Sequence, residues 1–383
     1  MNICILGASG SIGTQTLEVI SENKTNFTLV SFSVGHNDEC IDKIIKNHPS
    51  VTHVFLLDKS KCESLSNKYK NIKFLCDDGD LSNIITLSNP DMVVNALVGF
   101  AGLLPSIRTL KENRKLALAN KESLIIGGEI INKMLKKKMG VLYPIDSEHS
   151  AIWKCLKVDD KNVDKLVITG SGGAFRDLKR SELTTVSKND ALKHPTWNMG
   201  SKITIDSATM MNKGFELIEA HYLFGYSSDK MMVKLHSESM LHSAVLYKNG
   251  LYRGEINPPS MKNPIKFAVF EGNIEFETQT FNSFDELENL HFKDFDPIRY
   301  PLVSVARSVI EKKGNLGAIV NAANEVAVRA FLNEQISFLD IEKVIYECIK
   351  KIPYEKVKTV DDLVRANNET VKVANEIVEG LKK

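Results

Sequence analysis

Met1-Asn2-Ile3-Cys4-Ile5-Leu6-Gly7-Ala8-Ser9-Gly10-Ser11-Ile12-Gly13 opens the chain. Its first half is an apolar strand, and a helical pattern with Leu17, Val19 and Ile20 follows the glycines at once. Glycines at such a junction permit a tight turn, let the backbone approach a pyrophosphate and bring the helix close to the sheet. The helix N-terminus then faces the phosphates. The spacing, G-x-x-G-x-x-G, is a variant of the dinucleotide fingerprint, and a plain tight turn could use the same residues. Its place between a strand and a helix favours the dinucleotide. Gly7, Ser9, Gly10, Ser11 and Ile12 become candidate cofactor contacts.

Outward from this stretch, strands and helices alternate. Phe27 to Val34 reads as the second strand and ends in Gly35-His36-Asn37. An NAD enzyme places a carboxylate there for the ribose hydroxyls; the tip lacks one, which favours NADP, although Asp38 and Glu39 follow closely. His36 is either a cofactor contact or a surface histidine. Further strands are expected at 51–57, 71–75, 91–97 and 115–118, with helices between them. The pattern predicts a doubly wound parallel sheet, with ligands beyond the carboxyl ends of its strands. Ala119-Asn120-Lys121-Glu122-Ser123 occupies one such end. Lys121 and Glu122 either reach cofactor and substrate from there or simply start a helix.

Composition narrows the class. The 383 residues suggest two or three domains of about 100 to 200 residues each. Lysine plus arginine number 49 against 48 acids, so no global field attracts nucleic acid or anionic lipid. The six cysteines show no Cys-x-x-Cys spacing and mostly lie in apolar runs, which predicts reduced core thiols in a cytosolic protein. No apolar run approaches the roughly 18 residues of a membrane span. A strand begins at the first residues without a signal segment, and cytoplasmic residence is the expectation.

The middle of the chain carries candidate chemistry. In Tyr143-Pro144-Ile145-Asp146-Ser147-Glu148-His149-Ser150, an extended conformation continuing past the strand puts Asp146 and Glu148 on one face. Two such carboxylates suit a hard divalent ion, provided that more oxygens arrive from elsewhere. The plainer reading is a polar strand end with Ser147 capping a helix. After the apolar run from Leu166 come Gly170-Ser171-Gly172-Gly173-Ala174, either a phosphate nest with the Ser171 hydroxyl or a flexible turn. Trp197 lies in the polar segment Lys193-His194-Pro195-Thr196-Trp197-Asn198-Met199-Gly200 and reads as part of a lid. A helix is expected beyond it, capped by Asp206 or Ser207. Asn212 and Lys213 reach the face of Glu216, as a surface pair or as a cluster aimed into a site. Glu216 could supply a third oxygen ligand. The C-terminal part shows a linker at 271–297 and four helical patterns that predict a small bundle. Asn321, Asn324 and Glu325 read there as packing or docking groups, or else as a border of the site.

Four blocks together resemble the 1-deoxy-D-xylulose 5-phosphate reductoisomerase family: Gly-Ala-Ser-Gly-Ser-Ile-Gly, Ala-Asn-Lys-Glu-Ser, Asp-Ser-Glu-His-Ser-Ala, and the run from Lys193 through Glu216. The resemblance implies NADPH at the first glycine block and at Gly35, His36, Asn37, Asn120, Glu122 and Gly200. It implies Mg²⁺, Mn²⁺ or Co²⁺ on Asp146, Glu148 and Glu216, which with Lys121 form the catalytic group. Contacts to a small phosphorylated sugar fall on Lys121, Ser147, Glu148, Ser171, His194, Trp197, Ser207, Asn212, Lys213 and Glu216. A homodimer is also implied, with no nucleic-acid or membrane partner. The expected architecture is an NADPH-binding Rossmann-like domain at 1–146, a central α/β catalytic domain at 147–270 with a lid at 193–201, the linker, and a helical domain at 298–383. Three departures stand out. Ala174 replaces a frequent proline, His36 a frequent lysine or arginine, and Ser260 a usual aspartate, so the 250–277 wall of the substrate pocket matches poorly. A simple NADP dehydrogenase without rearrangement is the neighbouring alternative, and a dinucleotide-sensing scaffold the non-enzymatic one.

Overall fold

The computed structural model describes residues 1–35, 37–76, 81–273, 275, 288 and 290–382. His36 and most of 271–297 therefore lie outside the described residues. Strand β1 (Asn2–Leu6), helix α1 (Ser11–Glu22), β2 (Thr28–Ser33), α2 (Ile41–Asn47), β3 (His53–Leu56), α3 (Lys59–Lys68), β4 (Lys73–Cys76) and α4 (Asn83–Ser88) follow in strict alternation. They continue through β5 (Met92–Asn95), α5 (Leu103–Lys111), β6 (Lys115–Leu118), α6 (Glu122–Lys136) and β7 (Val141–Pro144). All seven strands run parallel, in the order β4-β3-β2-β1-β5-β6-β7. Residues Ile3 to Leu6 are fully buried, as expected of a central parallel strand covered on both faces. The chain builds outward from β1 on one side and then returns to β5 on the other. The glycine loop after β1 thus sits at the point where strand order reverses, the usual ligand crevice of such sheets.

Beyond α7 (Ser147–Val158) the pattern changes. β8 (Val163–Gly170), α8 (Lys188–Ala191), α9 (Ser201–Ala208), α10 (Met211–Phe224), β9 (Met231–Leu235), β10 (Leu241–Tyr247) and β11 (Tyr252–Ile256) come first. Next are α11 (Lys262–Val269), β12 (Lys293–Asp294), α12 (Leu302–Lys312), α13 (Leu316–Leu332), α14 (Asp340–Lys351) and α15 (Val360–Leu381). A mixed sheet forms in the order β11-β10-β8-β9-β12. Only β8 and β9 are parallel in it. Part of the expected linker, Lys293–Asp294, is thus an edge strand. The four C-terminal helices match the expected bundle, and α13 is buried along most of its length.

The chain divides into two bodies, Met1–Ser123 with Ile131–Asp146 and Met261–Thr278 in the first, the remainder in the second. This differs from the expected boundary at 270, because α11 packs on α1. Phe270 meets Phe27 edge-on at 4.6 Å, and Ile265, Ala268 and Val269 join the core of the first sheet. The middle of α6, Leu124–Ile130, belongs to the second body, where Gly317 of α13 lies so close that an added Cβ would stand 2.0 Å from the Ile125 carbonyl oxygen.

Cys62 on α3 and Cys76 at the end of β4 are joined as a disulfide, their Cα atoms 6.3 Å apart. This corrects the expectation of six reduced thiols. The helix leads directly into its neighbouring strand, and their packing closes the pair. Cys4, Cys155 and Cys348 are buried and free, and burial pushes the Cys4 and Cys348 thiols up to about 12.

Candidate active site

In the first body, the glycines of the opening stretch do the steric work expected of them. Gly7 has φ +86°, and a Cβ there would approach the Ala96 carbonyl oxygen to 2.8 Å; one on Gly13 would meet the Gly7 oxygen at 2.2 Å. Only a bare backbone lets α1 approach β1 this closely. The loop is tied to β2, with Ala8 N–H donating to the Ser33 carbonyl at 2.8 Å and Gly7 N–H to the Ser33 hydroxyl at 3.0 Å. Gly10 caps α1 through its backbone, while Ser9, Ser11 and Ile12 line the helix start. Gly35 and Asn37 follow the end of β2.

At the end of β6, Asn120 is buried and its amide nitrogen donates to the carbonyls of Leu97 and Gly99, both at 3.0 Å, and to Glu122 Oε2 at 3.1 Å. Its Oδ1 accepts from Ser123 N–H at 3.0 Å. This side chain organises the 97–102 loop. A Cβ on Gly102 would stand 2.2 Å from the same amide. The buried Lys121 ammonium lies 2.8 Å from Asp146 Oδ2, so two predicted catalytic residues are brought together at adjacent strand ends.

The second body holds the rest. Ser147 already begins α7, so Glu148 projects from the first turn of a helix. The extended geometry expected for Asp146 and Glu148 is thereby corrected: β7 ends at Pro144, and the polar residues after it serve as a helix start. Glu148 meets α10. Lys213 Nζ donates to Glu148 Oε1 and, at 2.7 Å, to Glu216 Oε2. Asn212 Nδ2 donates to Glu216 Oε1 at 2.6 Å, and Ser147 Oγ donates to Glu148 Oε2. Asn212, Lys213 and Glu216 are all buried, which decides against a surface pair. Glu148 and Glu216 bring carboxylate oxygens within 4.8 Å of one another, a hard donor set whose chemistry fits a divalent cation.

The Lys213 stem lies against Gly170, where a Cβ would come within 3.0 Å of it. Ser171 follows, then Gly172 and Gly173 at φ +84° and +70°. A Cβ on Gly173 would meet the Ser207 oxygen at 2.6 Å, which packs this loop on the end of α9. His194 Nδ1 accepts from the backbone N–H of Thr196 at 3.2 Å and of Trp197 at 3.0 Å. The ring proton therefore sits on Nε2, which donates to Ser171 Oγ at 3.1 Å. Gly173 N–H donates to the same oxygen at 3.1 Å. With both acceptor positions filled, the Ser171 hydroxyl proton must point outward as a donor. Burial, with Arg176 and Lys213 nearby, lowers the His194 imidazole to about 4. Two cations around a hydroxyl, and a neutral histidine behind it, suit an anion. Trp197 is half-buried, its ring 6.1 Å from that of His242.

Asp206 and Ser207 lie inside α9 and cap nothing; α10 instead starts after Met210, a left-handed residue at φ +60°. Gly200 is the N-cap of α9. Sequence reasoning passed over His149 and Glu219. His149 Nε2 donates to the Glu216 carbonyl at 2.9 Å, and its Nδ1 is 3.4 Å from Glu219 Oε2, with both side chains buried. Their signal was available, since His149 adjoins Glu148 and Glu219 follows Glu216 by one helical turn. Arg176, which the reading of the glycine loop omitted, carried no such signal.

Family models agree along most of the chain. A model described as 1-deoxy-D-xylulose 5-phosphate reductoisomerase matches residues 3–128, that family's C-terminal domain model matches 142–224, and a DXP reductoisomerase C-terminal domain model matches 256–373. A 1-deoxy-D-xylulose 5-phosphate reductoisomerase of Clostridium kluyveri is 38% identical over 369 residues, 94% of this chain and 95% of its own. One from Bacillus anthracis is 40% identical over 375 residues, 95% of this chain and 98% of its own. Among solved structures, the Zymomonas mobilis enzyme in complex with NADPH superposes with TM-score 0.88 at 31% identity, covering 99% of each chain. A DOX-P reductoisomerase in complex with NADPH, fosmidomycin and magnesium gives 0.90 at 29% identity, covering 99% of this chain and 98% of that one. With its glycine loop, its paired carboxylates and its serine loop all falling within the matched segments, this chain belongs to the 1-deoxy-D-xylulose 5-phosphate reductoisomerase family.

Proposed function

We infer that the chain acts through the residues described above as an NADPH- and divalent-cation-dependent reductoisomerase. As a member of the family, it converts 1-deoxy-D-xylulose 5-phosphate to 2-C-methyl-D-erythritol 4-phosphate in isoprenoid precursor synthesis. The observation that carries the site assignment is the position of Lys213. Its ammonium bridges Glu148 and Glu216 while its stem lies on Gly170, where the serine loop begins. One residue thus joins a cation site to an anion pocket, a pairing that a phosphorylated hydroxyketone requires.

Glu148 and Glu216, with Asp146, would hold Mg²⁺, Mn²⁺ or Co²⁺. When bound, the ion supplies Lewis acidity and a template for the two neighbouring substrate oxygens. NADPH supplies the hydride, and Gly7, Ser9, Gly10, Ser11, Ile12, Gly35, Asn37, Glu122 and Gly200 would hold it. The Ser171 hydroxyl donates outward to the phosphate, with Ser207, Asn212 and Lys213 completing the pocket and Arg176 adding charge. His194 stays neutral and fixes the Ser171 proton. Ser147 orients Glu148, Lys121 orients Asp146, and Trp197 covers the site from the 193–201 segment, which closes as a lid.

We further propose a cytoplasmic homodimer, as the family resemblance implies. Val158, Leu251 and Tyr252 are exposed where α7 packs beside the edge strand β11, and they offer an apolar face to a second copy. No helix among the described residues is long and apolar enough to cross a membrane.

The test is loss of NADPH absorbance with 1-deoxy-D-xylulose 5-phosphate, with added Mg²⁺ or Mn²⁺ and in a strong chelator. Oxidation requiring both substrate and cation is expected. Oxidation that persists in chelator would favour a simple dehydrogenase, and none from a folded, NADPH-binding chain would sink the substrate assignment.

A further inference from the structure

Asp206 is a buried carboxylate within one residue of Ser207, close to where the proposed reading puts a phosphate. An acid there repels the ligand unless something else holds its charge. Two groups do. Lys202, one turn earlier on α9, donates to Asp206 Oδ2 at 2.9 Å. Asn324, fully buried on α13 and 118 residues away in the chain, donates its amide to Asp206 Oδ1 at 2.8 Å. Asn324 Oδ1 meanwhile has no hydrogen-bond partner among the described residues. A buried amide left half-satisfied calls for an explanation. Here the donor half is committed to Asp206.

The position of that bond matters. Asp206 and Ser207 end α9, the chain turns through the left-handed Met210, and α10 immediately delivers Asn212, Lys213 and Glu216. Thr209 braces the turn, donating to the Asp206 carbonyl at 3.2 Å and accepting from Met211 N–H at 3.3 Å. The Asp206–Asn324 bond fastens this corner to α13. Hydrogen bonds to a charged group are the strong ones, and a buried one holds its partners closely.

We propose that Asn324 is a positioning residue for anion binding: through Asp206 it holds the Ser207–Lys213 corner in its phosphate-accepting arrangement, making the C-terminal helices part of the pocket's specificity. The inference rests on the assignment of that corner to the substrate phosphate. Asn324→Ala should raise KM for 1-deoxy-D-xylulose 5-phosphate about tenfold, the size of one charge-assisted hydrogen bond. The inhibition constant of inorganic phosphate, used as a competitive probe, should rise in parallel. KM for NADPH and kcat at saturation should stay within about twofold. Asn324→Asp sets two carboxylates against each other and should be worse. The exchange Asp206→Asn with Asn324→Asp reverses donor and acceptor, and should recover phosphate inhibition to within a few-fold of the original chain. A folded Asn324→Ala chain with unchanged KM and phosphate inhibition would overturn the proposal, as would a folded double variant without recovery. Ser207→Ala separates the two readings. If it weakens phosphate inhibition while Asn324→Ala does not, the pocket stands and the positioning role falls; if neither does, the pocket assignment falls with it.

Discussion

Glu216 receives Asn212 on one oxygen and Lys213 on the other, and it is buried. Glu216→Gln keeps the shape and removes the charge. Cation affinity should fall by at least the roughly 10- to 100-fold that even outer partners of a metal site cost. Titrating activity with Mg²⁺ checks this, and partial recovery at high Mg²⁺ is expected. His194 gives a pH prediction. The unfolded chain takes up a proton there near the ordinary histidine value of 6.5, whereas the native one resists until about 4. Between these values the unfolded state binds more protons, so His194 lowers stability as pH falls from about 6.5 towards 4 and has no such effect above that window. Denaturation midpoints of the original chain and His194→Gln, compared across that window, should converge as pH drops. At this scale the sequence revealed residue types better than their neighbours. Asp146, Glu148 and Glu216 stood out as candidate oxygen ligands, but the lysine between two of them reaches Glu148 from 65 residues away. No local pattern encodes that distance.

Among the elements, the strands of the parallel sheet were legible because burial on both faces demands continuous apolar runs. Helix starts were less so. Serine at 147 and at 207 offers the same hydroxyl to a cap, yet the former begins α7 and the latter lies inside α9. Tertiary packing against Gly173 and Asn324 decides the second case. The α3–β4 pair was misread for a related reason: separate apolar environments for Cys62 and Cys76 are visible in the sequence, and their approach is not. Their bond closes a loop with a sequence separation of 14. Chain-entropy arguments assign a loop of that size about 3 kcal/mol. Dithiothreitol should therefore lower the urea midpoint of the original chain and leave that of Cys62→Ser/Cys76→Ser unchanged; equal midpoints for the original chain with and without reductant would contradict it.

On the scale of the whole molecule, composition and alternation were enough to anticipate a Rossmann-like sheet and a helical end, and the resemblance added a central α/β domain without specifying its mixed sheet. They did not anticipate the return of α11 to the first body. Residues 262–269 follow a catalytic segment and read naturally as its continuation, whereas their apolar face fits α1 and their Lys262 pairs with Glu22. Phe270 then closes on Phe27. This arrangement has a consequence for the order in which a ribosome delivers the chain. The seven strands of the nucleotide-binding sheet emerge early, but the helix that covers α1 is translated only after most of the catalytic segment. Until then the side of α1 that receives α11 is exposed to solvent or to a chaperone. The first body therefore cannot be completed when its seven strands have emerged, and its final closure must wait for about two-thirds of the message to be read.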